Sequence, residues 1–315
     1  MVKPVTLITG FLGAGKTTFL NELLQSRPEV RCAIIENEYG DESIDAALLV
    51  QAADDLVSLN NGCLCCTLND NLYDLLNALA GRADEFDELV IETTGIADPA
   101  GVAAPFLTSP QLRRDFPLAR VICLVDPRFI EDRLRDTEEA IRQIAFSDLI
   151  LITRTDLPEA GDVAALARRL AAINPFAQVF TGHKGRYPLA ELLAARRATV
   201  PVVPTRAGAP AHNLHRHSDI VSLNFRFERP FNLATLRHRL MGFLLFQAEG
   251  VYRIKGFIHA ADTDERVLLQ SVSTAVAFEA ADPWPAHEPR LSRLVFIGRR
   301  LKPEGIQRML EQCLA

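Results

Sequence analysis

Short apolar segments and amphipathic segments alternate along the first two thirds of the chain. Runs of apolar residues, many of them β-branched, predict mostly buried strands at residues 4–9, 30–35, 56–59, 88–91, 118–125, 149–152 and 178–180. Apolar positions at helical spacing predict helices at residues 19–24, 68–80, 163–173 and 189–195. Strands and helices that alternate in this way are typical of an α/β domain with a mostly parallel sheet.

The pattern changes after residue 198. Prolines and a glycine are concentrated in the segment that follows, as in a linker. Beyond it, apolar patterns predict strands at 221–227, 251–259, 266–273, 274–278 and 291–298, and helices at 233–246 and 303–313. Strands in succession with few helices indicate a smaller α+β domain with a largely antiparallel sheet. We therefore predict a first domain at 1–198, a linker at 199–218 and a second domain at 219–315.

Length and composition agree with two globular domains. The chain has 315 residues, of which 48% are hydrophobic, so both domains can form apolar cores. No apolar run reaches the ~20 residues that a membrane helix needs, and the first strand begins without a signal-peptide segment. We therefore expect a soluble cytoplasmic protein with no membrane partner. The net charge of −6 provides no general attraction for nucleic acid, so we expect no nucleic-acid partner.

Residues 10–18, GFLGAGKTT, lie between a predicted strand and a predicted helix and match the phosphate-binding pattern G-x-x-x-x-G-K-[ST]. Glycines in such a loop let backbone N–H groups converge on phosphate oxygens. The lysine adds a point charge for the β- and γ-phosphates, and the following hydroxyl ligates Mg²⁺. A glycine-rich turn without a ligand is the alternative. The predicted nucleotide-binding residues of this loop are Gly10, Gly13, Ala14, Gly15, Lys16, Thr17 and Thr18.

A second motif follows the predicted strand at 88–91, at the sheet edge where open α/β sheets bind their ligands. Glu92 ends this strand and Gly95 follows three residues later. P-loop proteins use this spacing to reach the Mg²⁺ sphere with the carboxylate and the γ-phosphate with the glycine N–H. We predict that Lys16, Thr17 and Glu92 form the catalytic centre, in which Thr17 and Glu92 organise Mg²⁺.

Residues 153–156, TRTD, follow another predicted strand and partly match N-K-x-D, by which many P-loop GTPases select guanine. Asp156 retains the carboxylate that accepts hydrogen bonds from the guanine base. Arg154 replaces the usual lysine and could lie along the face of the purine. We therefore predict that the bound nucleotide is GTP or GDP.

Three of the six cysteines, Cys63, Cys65 and Cys66, lie within four consecutive positions on a predicted turn. Thiolates at this spacing can face one soft or borderline metal ion, and Zn²⁺ would take three sulfurs and a fourth ligand. Buried structural thiols or a redox pair are the alternatives. The acidic segment at 36–42 follows a predicted strand and could be a first switch loop that senses the γ-phosphate, or only a solvated acidic turn.

Two other groups of basic residues are less specific. His212, His215 and His217 in the predicted linker could bind metal, although solvated linker histidines are commoner. Arg253 and Lys255 belong to no motif of known mechanism, and we expect them on the solvent face of an edge strand.

Together these motifs resemble the CobW-like family of P-loop GTPases, and most closely its YjiA-like branch. The resemblance extends over both predicted domains and is carried by GFLGAGKTT (10–18), ENEYGD (36–41), GCLCC (62–66), ETTGIADP (92–99), QIAFSD and TRTD (143–156), YRIKG (252–256) and VFIGRRL (295–301). It implies GTP hydrolysis linked to the binding and delivery of a transition metal. It further implies that Glu36 and Asp41 in the first switch contribute metal ligands, and that the second domain serves partner recognition or metal transfer.

The sequence thus predicts a two-domain, GTP-hydrolysing metallochaperone that uses Mg²⁺, carries Zn²⁺ or Co²⁺ and delivers it to a client metalloprotein. Cys63, Cys65 and Cys66 would hold the metal between the two switch-bearing strands, so that its affinity could differ between the GTP and GDP states. No general base is identifiable. The alternatives are a P-loop metabolite kinase, which leaves the three cysteines unexplained, and a non-catalytic metal sensor that binds GTP as a structural ligand.

Overall fold

The computed structural model describes residues 2–36, 46–52, 55–61, 68–195, 220–246, 250–281, 283–284 and 289–315. The chain divides into two compact units, one made of Met1–Leu170 with Ala177–Arg197 and the other of Ala171–Phe176 with Ala198–Ala315. The predicted linker at 199–218 lies outside the described residues. Among the residues that are described, no helix is long and apolar enough to cross a membrane.

The first unit contains one sheet. Its strands are β1 (Val5–Gly10), β2 (Cys32–Glu36), β3 (Ala46–Ala52), β4 (Asp55–Asn61), β5 (Glu88–Glu92), β6 (Leu118–Val125), β7 (Leu149–Ile152) and β8 (Gln178–Thr181). They are arranged in the order β4-β3-β2-β5-β1-β6-β7-β8. The strands from β2 to β8 in this order are parallel, whereas β3 and β4 are antiparallel additions at one edge. The predicted mostly parallel sheet is confirmed.

Helices connect these strands. They are α1 (Lys16–Gln25), α2 (Leu68–Ala80), α3 (Pro99–Thr108), α4 (Pro110–Asp115), α5 (Ile130–Asp136), α6 (Glu138–Phe146), α7 (Val163–Ile173) and α8 (Leu189–Ala194). Helix α1 packs on the sheet through Phe19, Leu20 and Leu23, each at most 1% exposed. Every residue of β1 and β5 is buried, as expected for the central strands of a parallel sheet covered on both faces.

The second unit contains an antiparallel sheet with two helices. Its elements are β9 (Ile220–Phe227), α9 (Leu233–Phe246), β10 (Val251–Ile258), β11 (Val267–Val272), β12 (Ala275–Ala280), β13 (Ser292–Arg299) and α10 (Pro303–Glu311). The strand order is β12-β11-β10-β13-β9, and neighbours are antiparallel. Ile254 and Phe296 on the sheet share one apolar core with Leu240 of α9 and Leu310 of α10. The predicted α+β architecture is confirmed.

The expectation for Arg253 and Lys255 was wrong. Both lie on β10, which is the middle strand of the sheet and not an edge strand. Arg253 is only 1% exposed and donates hydrogen bonds to Ser271 O at 2.5 Å and to Gln270 Oε1 at 2.9 Å. Lys255 is 4% exposed. Arg253 and Lys255 lie on the opposite face of the strand from Ile254, but the two-residue period of a strand carries no information on whether that second face is covered.

A buried carboxylate joins the amino ends of the central strands of the first unit. Glu88, the first residue of β5, accepts hydrogen bonds from Thr6 Oγ1 at 2.5 Å and from Arg27 Nη1 at 2.8 Å. Arg120 Nη1 of β6 lies 3.4 Å from the same carboxylate. Two largely buried guanidinium groups therefore depend on one anion.

We predict that Glu88→Ala lowers the free energy of unfolding by about 3 kcal/mol, because it leaves two guanidinium groups without their counter-charge in a low-dielectric site. Urea unfolding would measure the change. Asp87→Ala is the matched control, since the neighbouring Asp87 pairs with Arg31 where both side chains are more than 40% exposed. Exposed pairs contribute little, so the control should lose much less stability. Equal losses in the two variants would contradict this account of the cluster.

Candidate functional site

The loop between β1 and α1 has the backbone of a phosphate cradle. Gly13 and Gly15 adopt φ angles of 79° and 93°, in the left-handed region that glycine tolerates best. Gly10 has φ 141°, and a Cβ there would lie 2.4 Å from Leu124 O of the neighbouring strand. Ala14 N donates to Phe11 O at 3.1 Å and closes a turn within the loop. The loop therefore presents backbone N–H groups and the start of α1 to an anion.

Lys16 spans this loop. Lys16 is only 9% exposed, and its Nζ donates a hydrogen bond to Gly10 O at 3.0 Å. Burial lowers the pKa of Lys16, and the nearby Glu92 carboxylate opposes this effect. The ammonium is thus held against the first residue of the loop.

The structure brings Thr17 and Glu92 together. Thr17 Oγ1 donates to Glu92 Oε1 at 3.0 Å, so the first turn of α1 meets the carboxyl end of β5. The adjacent hydrogen bond from Thr93 Oγ1 to Thr9 Oγ1, at 3.1 Å, joins the ends of β5 and β1. A hydroxyl and a carboxylate are the oxygen ligands that Mg²⁺ prefers, so this pair fits the predicted magnesium site.

The turn after β5 packs against the phosphate loop. Ala97 N donates to Thr94 O at 3.2 Å and closes the turn. A Cβ at Gly95 would lie 2.5 Å from Leu12 N, so only glycine permits this approach. Asp98 then caps α3 by accepting a hydrogen bond from Ala100 N at 2.9 Å. The structure therefore brings Gly95 against the cradle.

Two side chains of the predicted base-selecting loop donate hydrogen bonds to the cradle. Thr153 Oγ1 donates to Ala14 O at 3.1 Å, and Arg154 Nη1 donates to Gly13 O at 2.7 Å. Arg154 also pairs with Asp126. The Arg154 guanidinium thus binds the phosphate loop, a contact that the sequence analysis did not predict. Asp156 is exposed two residues further on.

Sequence reasoning missed two residues that organise the site. Asp126 directly follows β6 and is 6% exposed, and Arg128 and Arg154 both donate to its carboxylate. Burial alone would raise the pKa of Asp126, but these hydrogen bonds outweigh it and lower the pKa. Asp126 directly follows a predicted strand, and this position could have marked it as a candidate site residue. Gln143 on α6 was recognised only as part of a motif, although its side chain reaches the turn at Gly95.

The predicted transition-metal ligands fall largely outside the described residues. This applies to Cys63, Cys65, Cys66 and Asp41, and to the linker histidines His212, His215 and His217. Glu36 ends β2, where its backbone is paired with that of Glu92. Within the described part of the chain, no three His, Cys, Asp or Glu side chains form a group that could hold a metal ion.

The described cysteines are poor candidates for metal ligands. Cys32, Cys123 and Cys313 are buried at three separate places. Burial raises the pKa of Cys32 to about 11 and that of Cys123 to about 12, so forming a thiolate costs more there than at an exposed cysteine. A metal ligand must be a thiolate.

Comparisons with known proteins agree with this architecture. The family model described as CobW/HypB/UreG, nucleotide-binding domain, matches residues 4–181, and the cobalamin synthesis protein cobW C-terminal domain matches residues 220–314. The zinc chaperone YjiA of Escherichia coli (strain K12) is 34% identical over 308 residues, which cover 96% of each chain.

Solved structures show the same fold. A crystal structure of Zn(II)-bound YjiA GTPase from E. coli has a TM-score of 0.75 at 30% identity and covers 100% of both chains. A Zn(II)-bound triple mutant of YjiA GTPase, with one glutamate and two cysteines replaced by alanine, is equally similar. Since the nucleotide-binding model matches more than half of the residues and a relative matches nearly the whole length, the chain belongs to the CobW/HypB/UreG family of nucleotide-binding proteins.

Proposed function

We propose that this chain is a GTPase that binds zinc and couples zinc delivery to GTP hydrolysis. The observation that carries the proposal is the cradle at residues 10–18, with Lys16 across it, the Thr17–Glu92 pair beside it and the Gly95 turn packed on it. The similar proteins are a zinc chaperone and a Zn(II)-bound GTPase. The similarity of this chain to YjiA over nearly the full length of both supports the same activity for this chain.

The cradle would hold GTP or GDP through its backbone N–H groups and Lys16. The phosphate-contacting residues in this proposal are Gly10, Gly13, Ala14, Gly15, Lys16, Thr17 and Thr18, with Gly95 on the γ-phosphate. Thr17 and Glu92 would hold Mg²⁺, which when bound neutralises charge that develops on the phosphates. The protein's own contribution is then positioning and charge stabilisation, and no side chain need act as general base.

Base selection would depend on Asp156, with Arg154 beside the purine. The hydrogen bonds of Thr153 and Arg154 to the cradle support this, because they place the base loop next to the phosphate loop. A carboxylate accepts hydrogen bonds from guanine N1–H and N2–H, whereas adenine presents an acceptor at N1.

The cargo metal, Zn²⁺ or Co²⁺, would be bound by Cys63, Cys65 and Cys66, with Glu36 or Asp41 as a further ligand. Strand β4 ends at Asn61, immediately before the cysteine segment, and β2 ends at Glu36, whose backbone is paired with Glu92. These short covalent and hydrogen-bonded connections support coupling between the metal and the nucleotide. A client metalloprotein would receive the metal, and we assign its recognition to the domain at 219–315.

We expect purified protein to hydrolyse GTP and Lys16→Ala to lower kcat at least ~100-fold, because the lysine charge stabilises the phosphates in the transition state. Phosphate release would measure turnover. Lys302→Ala, at an exposed lysine in the second unit, is the control and should keep wild-type activity. A wild-type protein that binds GTP without turnover would favour the sensor, and phosphate transfer to a small acceptor would favour the kinase.

Asp156→Asn should lower the preference for GTP over XTP at least ~100-fold, because an amide can donate to the O2 of xanthine but not satisfy guanine N1–H and N2–H. Competition against a fluorescent nucleotide would measure both affinities. Asp136→Asn, at an exposed residue of α5, should leave the preference unchanged. An unaltered preference in Asp156→Asn would show that another residue selects the base.

Zinc affinity should fall by orders of magnitude in the triple Cys63→Ser, Cys65→Ser, Cys66→Ser variant, measured by competition with a chromophoric chelator. Affinity, and not the mere presence of zinc, is the informative quantity, because the YjiA mutant lacking two cysteines is still Zn(II)-bound. Wild-type affinity should weaken as the pH falls, since protons compete for thiolates. Unchanged zinc affinity in the triple variant would indicate that His212, His215 and His217 bind the zinc instead.

A further inference from the structure

Gln143 is a buried polar side chain whose amide serves the turn after β5. It lies on α6 and is only 1% exposed. Nε2 donates to Gly95 O at 3.1 Å and to Ala97 O at 3.2 Å. An amide nitrogen carries two hydrogens, and these two carbonyls use both of them. Gln143 thus holds the carbonyl groups of Gly95 and Ala97, the residues on either side of the exposed Ile96.

The same turn also contacts the phosphate loop. The Cα of Gly95 is so close to Leu12 that an added Cβ would lie 2.5 Å from Leu12 N. The turn therefore contacts both the cradle and Gln143. A second bond from α6, Arg142 Nη1 to Asp98 Oδ2 at 3.3 Å, lies at the far end of the turn. Helix α6 thus holds both ends of the segment from Gly95 to Asp98.

We propose that Gln143 is a positioning residue for GTP hydrolysis, which sets the position of Gly95 relative to the γ-phosphate. The inference rests on the proposed GTPase function. Any movement of Gly95 with respect to α6 must stretch or break its hydrogen bond with Gln143. A buried amide that loses its partners is strongly disfavoured, so these bonds keep the turn in one arrangement.

This role predicts a selective effect on the triphosphate state. GDP has no γ-phosphate, so its affinity should depend much less on where Gly95 lies. A residue that only stabilised the fold would affect both nucleotides alike, through the fraction of folded protein. The ratio of GTP to GDP affinity therefore separates positioning from general stability.

The test compares Gln143→Leu with wild type in binding GTPγS, a slowly hydrolysed analogue, and GDP. We expect GTPγS affinity to fall roughly 5- to 30-fold, as for the loss of two neutral hydrogen bonds, while GDP affinity stays within about two-fold. The kcat for GTP should fall as well. Gln111→Leu, at an exposed glutamine of α4, is the matched control and should leave all three quantities unchanged.

Gln143→Glu keeps the shape of the side chain and provides a second readout if the leucine variant folds poorly. An ionised carboxylate has no donor and repels both carbonyl oxygens, whereas the protonated acid donates one hydrogen bond. The turnover of Gln143→Glu relative to wild type should therefore rise as the pH falls through the pKa of the introduced acid.

Equal losses of GTPγS and GDP affinity, or unchanged affinities and kcat in Gln143→Leu, would overturn the positioning role. A ratio of Gln143→Glu to wild-type turnover that is independent of pH would also overturn it. Failure of the proposed function looks different, because wild-type protein itself would then show no GTP turnover.

Discussion

The phosphate loop depends on side chains that bind its carbonyl oxygens. Lys16 Nζ donates to Gly10 O at 3.0 Å, Arg154 Nη1 to Gly13 O at 2.7 Å and Thr153 Oγ1 to Ala14 O at 3.1 Å. Backbone polar groups in a folded protein need hydrogen-bond partners. The carbonyl oxygens of Gly10, Gly13 and Ala14 find these partners in side chains of the same protein. The loop can therefore keep its left-handed glycines and offer its N–H groups to an anion. The loop at 153–156 and the phosphate loop are thus joined by hydrogen bonds.

Strand order places two acids on either side of this loop. Strand β1 lies between β5 and β6, so Glu92 at the end of β5 lies on one side and Asp126, directly after β6, on the other. Glu92 meets Thr17 and leads into the turn held by Gln143, whereas Asp126 pairs with Arg154. In the proposed function, the Glu92 side of the cradle would respond to the γ-phosphate and the Asp126 side would hold the nucleoside.

Much of this arrangement could be predicted from short-range patterns. The cradle, the parallel strands and the bounds of α2, α7 and α9 all follow from local sequence. The strand β3 was missed because its apolar run fits either a helix or a strand, and only pairing with β2 and β4 decides between them. The roles of Asp126 and Gln143 depend on contacts between residues far apart in sequence, as does the burial of Arg253. No local pattern encodes such contacts.

The proposed function requires that metal binding and nucleotide binding are coupled. By linkage, the metal changes the affinity for the nucleotide by the same factor as the nucleotide changes the affinity for the metal. The most direct test measures the affinities of wild-type protein for GTPγS and for GDP, with and without a saturating concentration of Zn²⁺. We predict that Zn²⁺ changes the ratio of the two affinities roughly 5- to 150-fold, as in typical allosteric pairs, and that replacing Cys63, Cys65 and Cys66 by serine abolishes the change. The same ratio in the presence and absence of Zn²⁺ would contradict the account.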